Sequence, residues 1–527
     1  MKLRNTVICT LALACTLVAQ AQNRGLRDFG FVQETTPALM LSNPAATGFW
    51  SGKVSYAEAF GNKGNGGLIS LEQSPDDFSF GARTESYYRV SEFMVFHGKL
   101  SWSHFEGKAM GGQVMMQPQL HPIAFLERDL TTLGTKKREI YELAGGLAIN
   151  LGRDWAIGVS VDYGAGDQTK IKDPRFSNIL MDLDINAGVV WHPSLNLLLG
   201  LSLKYRDLLE QLRGGIYGAT DKQYSVYTDR GGFWGTMEEL NGDYNIVSTS
   251  NYRPMDNRYL GASLQAVFFG TFSNELSYSK RDGYYGKKST TTPVYYEFAG
   301  FDASYKGSLL LHSGSSLHRI SADFTYSKLG NEENKYRYNT PSGGNTVVEY
   351  TGQNHIMDRS DIDASLGYRW YMGVRGPRPS FTLGAKASYF SRKQKTTIYP
   401  FYRDHSYSHI RADIFAEKVF TSGPMSYIAG LSAAFQTGSG VKKADGSFSP
   451  GSSTRLHSFD DYLDRQYEYE TDPRIGGGLS FTVARNISDK MEVYIKLSEK
   501  LTSLLYTPQF LAGRSRNIAE ISIGCNF

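Results

Sequence analysis

The strongest constraint on this chain is a period of two held over unusually long runs. In 155–164, Trp155, Ile157, Val159, Val161 and Tyr163 alternate with Ala156, Gly158, Ser160, Asp162 and Gly164. In 195–206, Leu195, Leu197, Leu199, Leu201, Leu203 and Tyr205 alternate with Asn196, Gly200, Ser202, Lys204 and Arg206. Segments 139–151 and 179–192 read the same way, and the pattern recurs at 258–270, 317–328, 357–373, 379–392, 408–420, 425–437, 490–500 and 516–527. Successive side chains of a strand point to opposite faces, so each run has one apolar face and one polar face. A soluble strand averages about 5–6 residues. Rows of ten or more, ending in Tyr or Trp, match the lipid-facing band of a membrane-spanning strand instead.

Turn lengths alternate too. Short connections fall near 90–91, 152–154, 193–194, 271–273, 313–316, 374–378, 421–424 and 486–489. Longer ones fall at 112–136, 165–178, 213–257, 285–293, 330–356, 393–407, 438–470 and 504–515. This asymmetry is expected of barrels with short periplasmic turns and longer outer loops. A first strand near 52–61 and a last at 516–527 raise the number to eighteen, and weak segments at 78–89, 274–284 and 471–485 leave sixteen open. The expected fold is all-β: a single antiparallel transmembrane β-barrel of about 16–18 strands. The number is even if both chain ends face the periplasm. A mean hydropathy of −0.36 argues against a helical membrane protein. A barrel can be this polar because only alternate residues meet lipid.

The chain ends set the expected compartment. Lys2 and Arg4 precede an apolar stretch from Val7 to Val18, and Ala19-Gln20-Ala21 is a cleavage site, so 1–21 reads as a secretory signal peptide. A lipoprotein signal ending at Cys15 is the rival reading, but the run before it, Ala12-Leu13-Ala14, does not have the usual leucine. The last strand ends in Phe527. This resembles outer-membrane barrels, whose terminal aromatic residue is read by the outer-membrane assembly machinery. The expected division is a signal peptide at 1–21, a periplasmic or luminal segment at 22–51 that acts as a plug, and a barrel at 52–527. The expected location is the cell outer membrane, with lipid, lipopolysaccharide and the assembly machinery as partners. A net charge of +4 gives no sign of nucleic-acid binding.

Asn43-Pro44-Ala45 stands shortly before the first strand. As bare residues it reads as a turn. It also resembles the long-chain fatty-acid transporter family and the barrel components of the type IX secretion system of Bacteroidota. That resemblance implies that 22–51 lies inside the barrel or at its periplasmic mouth. The whole chain resembles, in architecture, an uncharacterised family of Bacteroidota outer-membrane barrels.

The search for chemistry finds little. No HExxH, CxxC, Walker A or GxSxG motif is present. Gly61–Gly67 is Gly-rich but lies between strand-like segments and reads as a loop tip. His457, Asp460, Asp461, Asp464, Glu468 and Glu470 sit in one expected outer loop, where a protease of the omptin type would place Asp and His pairs; any solvated loop has the same composition. His405 and His409 with Tyr407 share a strand face but suggest no third metal ligand. The expectation is therefore no enzyme, no metal and no cofactor. The long 213–257 loop is rich in aromatics, with Tyr217, Tyr224, Tyr227, Phe233, Trp234, Tyr244 and Tyr252, and reads as a constriction, a cap, a sugar-stacking surface or a disordered tip.

The polar faces are more informative. Asp162, Asp182, Asp184, Lys204, Arg206, Asp323, Asp361, Asp363, Arg369, Lys386, Arg411, Asp413, Glu417 and Lys496 all fall on them. A charge facing lipid at the midplane costs roughly 2–4 kcal/mol, so these residues are expected to face the lumen. They either brace a filled interior or line a water-filled path. Three functions compete: passage of a small solute, a structural barrel binding a periplasmic or surface partner in a secretion or surface assembly, and an outer-membrane hydrolase using the acidic loop. About thirty residues before the first strand are too few for the globular plug of a TonB-dependent transporter.

Overall fold

The alternating runs are strands, and each pairs antiparallel with its neighbours. The computed structural model describes residues 28–128, 130–217, 224–240, 253–342, 344–374, 378–448 and 457–527; the signal-peptide reading at 1–21 lies outside them. In chain order the strands are β1 (Lys53–Gly66), β2 (Asp76–Ser91), β3 (Met94–Met110), β4 (Ala124–Glu127), β5 (Gly134–Leu151), β6 (Trp155–Lys170), β7 (Arg175–Ser194), β8 (Leu197–Gly215), β9 (Tyr224–Asp229), β10 (Trp234–Leu240) and β11 (Arg253–Phe268). They continue with β12 (Phe272–Gly286), β13 (Val294–Ser313), β14 (Ser316–Asn339), β15 (Val347–Met372), β16 (Phe381–Ile398), β17 (Phe401–Ser422), β18 (Met425–Ser447), β19 (His457–Ser458), β20 (Arg474–Ser488), β21 (Met491–Leu504) and β22 (Ser515–Asn526).

Eighteen of these form the wall. β1 pairs with both β2 and β22, so the sheet closes on itself and has no free edge. Closure lets neighbouring strands satisfy one another's backbone groups, which a lipid-facing wall requires. β4, β9, β10 and β19 form a separate four-stranded sheet. No helix among the described residues is long and apolar enough to cross a membrane.

The outer face is apolar. Leu203, Leu260, Leu264, Leu431 and Leu479 are each 60% or more exposed, a cost that water would impose and lipid removes. On β6 the outward row runs from Trp155 through Ile157, Val159 and Val161 to Tyr163, all exposed. Eight residue steps at about 3.3 Å make about 26 Å along the strand, the scale of an apolar band between aromatic girdles. Trp155 stacks on Trp191 of β7 at 5.7 Å beside the short turns.

The expected short turns join β2–β3, β5–β6, β7–β8, β11–β12, β13–β14, β15–β16, β17–β18 and β20–β21. The opposite end departs from expectation. The stretches 165–178, 330–356 and 393–407 are mostly strand, not loop: β16 and β17 are joined by Tyr399-Pro400 alone. There the strands rise past the apolar band, both faces meet polar surroundings, and the alternation disappears. The Gly-rich run expected as a loop tip continues β1 to Gly66. The acidic run expected as a loop is largely a helix, α3 (Asp460–Thr471). The aromatic 213–257 stretch supplies β9 and β10; its Tyr244 and Tyr252 lie outside the described residues.

Candidate functional site: a lumen closed at both ends

The segment before β1 folds into the end of the barrel that carries the short turns. It contains α1 (Phe29–Thr35), α2 (Pro37–Met40) and a 3₁₀ turn (Pro44–Phe49). Asp28 caps α1, accepting from the Phe31 amide at 2.9 Å. Pro37 and Pro44 open α2 and the turn, where a missing N–H costs nothing.

Asn43 fastens this insert to the wall. Its side-chain oxygen accepts from Ala45 N at 3.0 Å, and its amide nitrogen faces the carbonyls of Val189 (3.1 Å) and Leu201 (3.2 Å) and Oε1 of Gln265 (3.0 Å). Such an approach needs a wall without side chains. Gly158 and Gly188 are register partners on β6 and β7. A Cβ on Gly158 would stand 2.4 Å from Ala45 N, and one on Gly188 would stand 2.0 Å from Asn43 Oδ1. Around this contact Leu41, Ala45 and Ala46 pack on Ala156, Val190, Leu198 and Val267. Ser42 N donates to Glu275 at 2.9 Å, Asn150 donates to Gly48 O at 3.0 Å, and Glu34 meets Arg369 and, at 2.6 Å, Tyr371.

The other end is filled by three separated segments: the 111–133 connection, the β9–β10 hairpin with β19, and α3. Glu210 of β8, fully buried, is the main anchor. It accepts from Met116 N (2.7 Å) and Asn178 (2.7 Å) and pairs with His121 Nε2 (3.1 Å). Burial, the largest influence, pushes the His121 imidazole below the usual histidine range. A neutral ring then donates through Nε2 and accepts at Nδ1 from Asn257, 3.2 Å away. Arg359 of β15 donates to His121 O (2.9 Å) and Gln119 O (3.2 Å), Arg281 of β12 to Leu120 O, and Arg392 of β16 to the Gln119 side chain (2.6 Å). Glu127, fully buried, holds Lys170 and Thr132, and the Tyr462 hydroxyl of α3 donates to Glu127 O. Met115, Ile123, Phe125 and Val226 pack on Met255, Phe298, Leu329 and Met357 of the wall. In α3, Glu468 accepts from the amides of Phe510 and Leu511.

Between the inserts the inward face is polar and retains exposure. The structure places the residues singled out above as follows. Arg206 holds Asp182 through two hydrogen bonds of 2.8 Å, and Lys204 lies 2.6 Å from Asp184. Asp162 faces Asp184 in register. Arg411 and Asp413 pair along β17 at 2.6 Å. Asp361 takes Arg392 in two hydrogen bonds of 2.8 Å, while Arg369 is engaged by the N-terminal insert. Asp323 accepts from Ser365, Asp363 faces Thr325, Lys386 faces both Gly367 and Asp413, and Lys496 faces Ser522. Glu417 lies opposite Thr382. In the Lys204–Asp184, Arg206–Asp182 and Arg411–Asp413 pairs 20–45% of the side-chain surface stays exposed, whereas Arg392 and Asp361 keep 12% and 17%. A cavity of about 250 Å³ lies between the N-terminal insert and this wall.

Phe527 sits at the closing seam, its amide donating to Ser55 O at 2.9 Å with Lys53 over its ring. No group of three or more metal-ligating side chains occurs among the described residues. His405 and His409 engage Lys442 O and Glu470 instead. Of the acidic residues considered for hydrolysis, Asp460 engages Lys443 and Ser458, Asp464 engages Lys442, and Glu470 engages Gln466 and His409.

The anchors Glu210, Arg281, Arg359 and Gly158/Gly188 were missed as functional residues. A usable signal existed on β8, where inward positions run Leu198, Gly200, Ser202, Lys204, Arg206, Leu208, Glu210 and Leu212. Apolar residues return at both ends of the inward face, and they are the ones the inserts cover.

One family model matches, over residues 44–527; its description is "Family of unknown function (DUF6850)". A search of curated proteins gives no match. Among solved structures the chain is similar to BauA, the ferric preacinetobactin receptor of Acinetobacter baumannii (7% identity, 90% of this chain and 81% of that one, TM-score 0.37). It is also similar to a Pseudomonas aeruginosa FadL homologue (12%, 94% and 94%, 0.32) and to the RagAB peptide transporter (9%, 90% and 74%, 0.39). Likenesses this weak carry no functional argument.

Proposed function

The chain belongs to this family of unknown function, and since the family supplies no activity, we propose from the lumen itself that it is an outer-membrane barrel passing a small polar solute through a gated chamber. The observation that carries this reading is the partly exposed charged belt enclosed between two ordered inserts. Both ends of this lumen are closed by packed apolar side chains and buried polar anchors, whereas the charged belt between them keeps part of its surface exposed. A wall of eighteen strands is porin-sized and leaves an aqueous channel unless something occupies it. The export signal read at 1–21, the outward apolar band and Phe527 as an assembly signal support the outer membrane as its location.

The filled ends favour a second reading, a barrel that docks a periplasmic or surface partner on one of its inserts. Planar-bilayer recording separates the two. The chain from residue 22 is expected to be closed. Removing 22–50 and also replacing 113–132 by a short Gly-Ser link is expected to give steady conductance, with each single change giving less. Silence of the doubly altered barrel, folded by circular dichroism, would reject passage and leave partner docking.

A further inference from the structure

Between the inserts the inward charges of β3 and β5–β8 are paired, except for Asp162. Lys99 lies 2.8 Å from Glu142, Lys204 lies 2.6 Å from Asp184, and Arg206 holds Asp182. His97 is 3.0 Å from Glu85. Among the described residues Asp162 has no hydrogen-bond or ion-pair partner, although it stands directly across from Asp184. Like charges directly opposite on neighbouring strands destabilise a sheet. Lys204 pairs directly with Asp184, whereas Asp162 has only the longer-range attraction of His97, Lys99 and Lys204 and no direct partner. Asp162 also borders two cavities, of about 250 Å³ and about 240 Å³. In the larger one the N-terminal insert contributes Leu39, Leu41 and Pro44, beside Ser42, Asn43 and Thr47, facing the charged wall.

We propose that Asp162 anchors a binding site for a small organic ammonium. The charged head supplies the missing partner, and the apolar remainder lies on Leu39 and Leu41. No group of three or more His, Cys, Asp or Glu side chains that could hold a metal ion occurs among the described residues. One unpaired carboxylate calls for a single positive charge. The site deepens the passage reading and rests on it, naming the solute class of the chamber. It also makes the insert part of the site, so occupancy and insert position are coupled.

The test is calorimetry on the full chain in detergent, with n-butylammonium chloride, sodium butyrate, butanol and sodium chloride as probes. Saturable binding of n-butylammonium alone is expected. Asp162→Asn is expected to weaken it by at least about tenfold, the size of one charge-assisted hydrogen bond. That variant relieves the repulsion with Asp184, so its melting temperature should not fall, which separates lost binding from lost folding. Equal competition by sodium, preference for butyrate, or unchanged affinity in Asp162→Asn overturns the site. If the altered barrel conducts but n-butylammonium does not bind, passage stands and this site falls. If binding depends on Asp162 while the altered barrel stays silent, the site stands and passage falls.

Discussion

The two inserts close the same lumen by different physics. The N-terminal insert is one continuous piece, ending where β1 begins, and it seats on glycines, apolar side chains, hydrogen bonds and the partly exposed ion pairs of Glu34 with Arg319 and Arg369 and of Asp28 with Arg378. The opposite insert is assembled from segments more than 300 residues apart in sequence, Gln113 to Thr471, and is pinned by buried ionic groups. A continuous piece can leave its seat as a unit, at the cost of its own contacts. An insert whose members cross-link through Glu210, Glu127 and three arginines has no single hinge. On the proposed passage function, the moving gate is expected on the N-terminal side and a fixed constriction on the other.

The largest effect should come from the fixed side. Glu210→Ala leaves His121, Asn178 and the Met116 amide without their acceptor in a site closed to water. Breaking a buried charged anchor costs about 3–5 kcal/mol. Hydrogen exchange at 113–127 should rise sharply while the wall keeps its β-signal; unchanged protection would show that the pinning is not ionic. On the moving side, Gly158→Ala pushes a methyl into Ala45 and Pro44, and such overpacking costs about 1–3 kcal/mol. Protease access to 28–50 should increase, with no change in 113–127. Asn43→Ala should act in the same direction by about 1 kcal/mol, through the lost cap and wall contacts. If either variant loosens both ends equally, the division into gate and constriction fails.

A further prediction concerns pH. Burial raises the Asp229 carboxyl at the β9–β10 turn to about 6, against the opposing pull of the Gly231 and Trp234 amides and of Arg403. A raised carboxylate pKa means that the folded state binds more protons than the unfolded state between about pH 4 and 6. The hairpin should therefore be most stable below about pH 4 as far as this group is concerned, lose stability as pH rises through 6, and level off above. Exchange rates of β9 and β10 amides across that window, with Asp229→Asn flattening the profile, would check it. An opposite slope would mean that Arg403 outweighs burial.

The wall was legible from parity alone. Because the pleat sends alternate residues to opposite faces, Val159 and Asp162 declare lipid and lumen without reference to anything distant, and the short turns count the strands. The heights of the strands were not legible: beyond the apolar band at 165–178, 330–356 and 393–407 both faces are polar, so no alternation remains to read.

What fills the lumen belonged to the tertiary structure. Asn43 meets Gln265, His121 meets Glu210, and Tyr462 meets Glu127 across 89 to 335 residues, and no local period links such partners. The inward leucines of β8 announced that something apolar lies at each end. They did not say what, because a hydrophobic face specifies burial and not the segment that buries it.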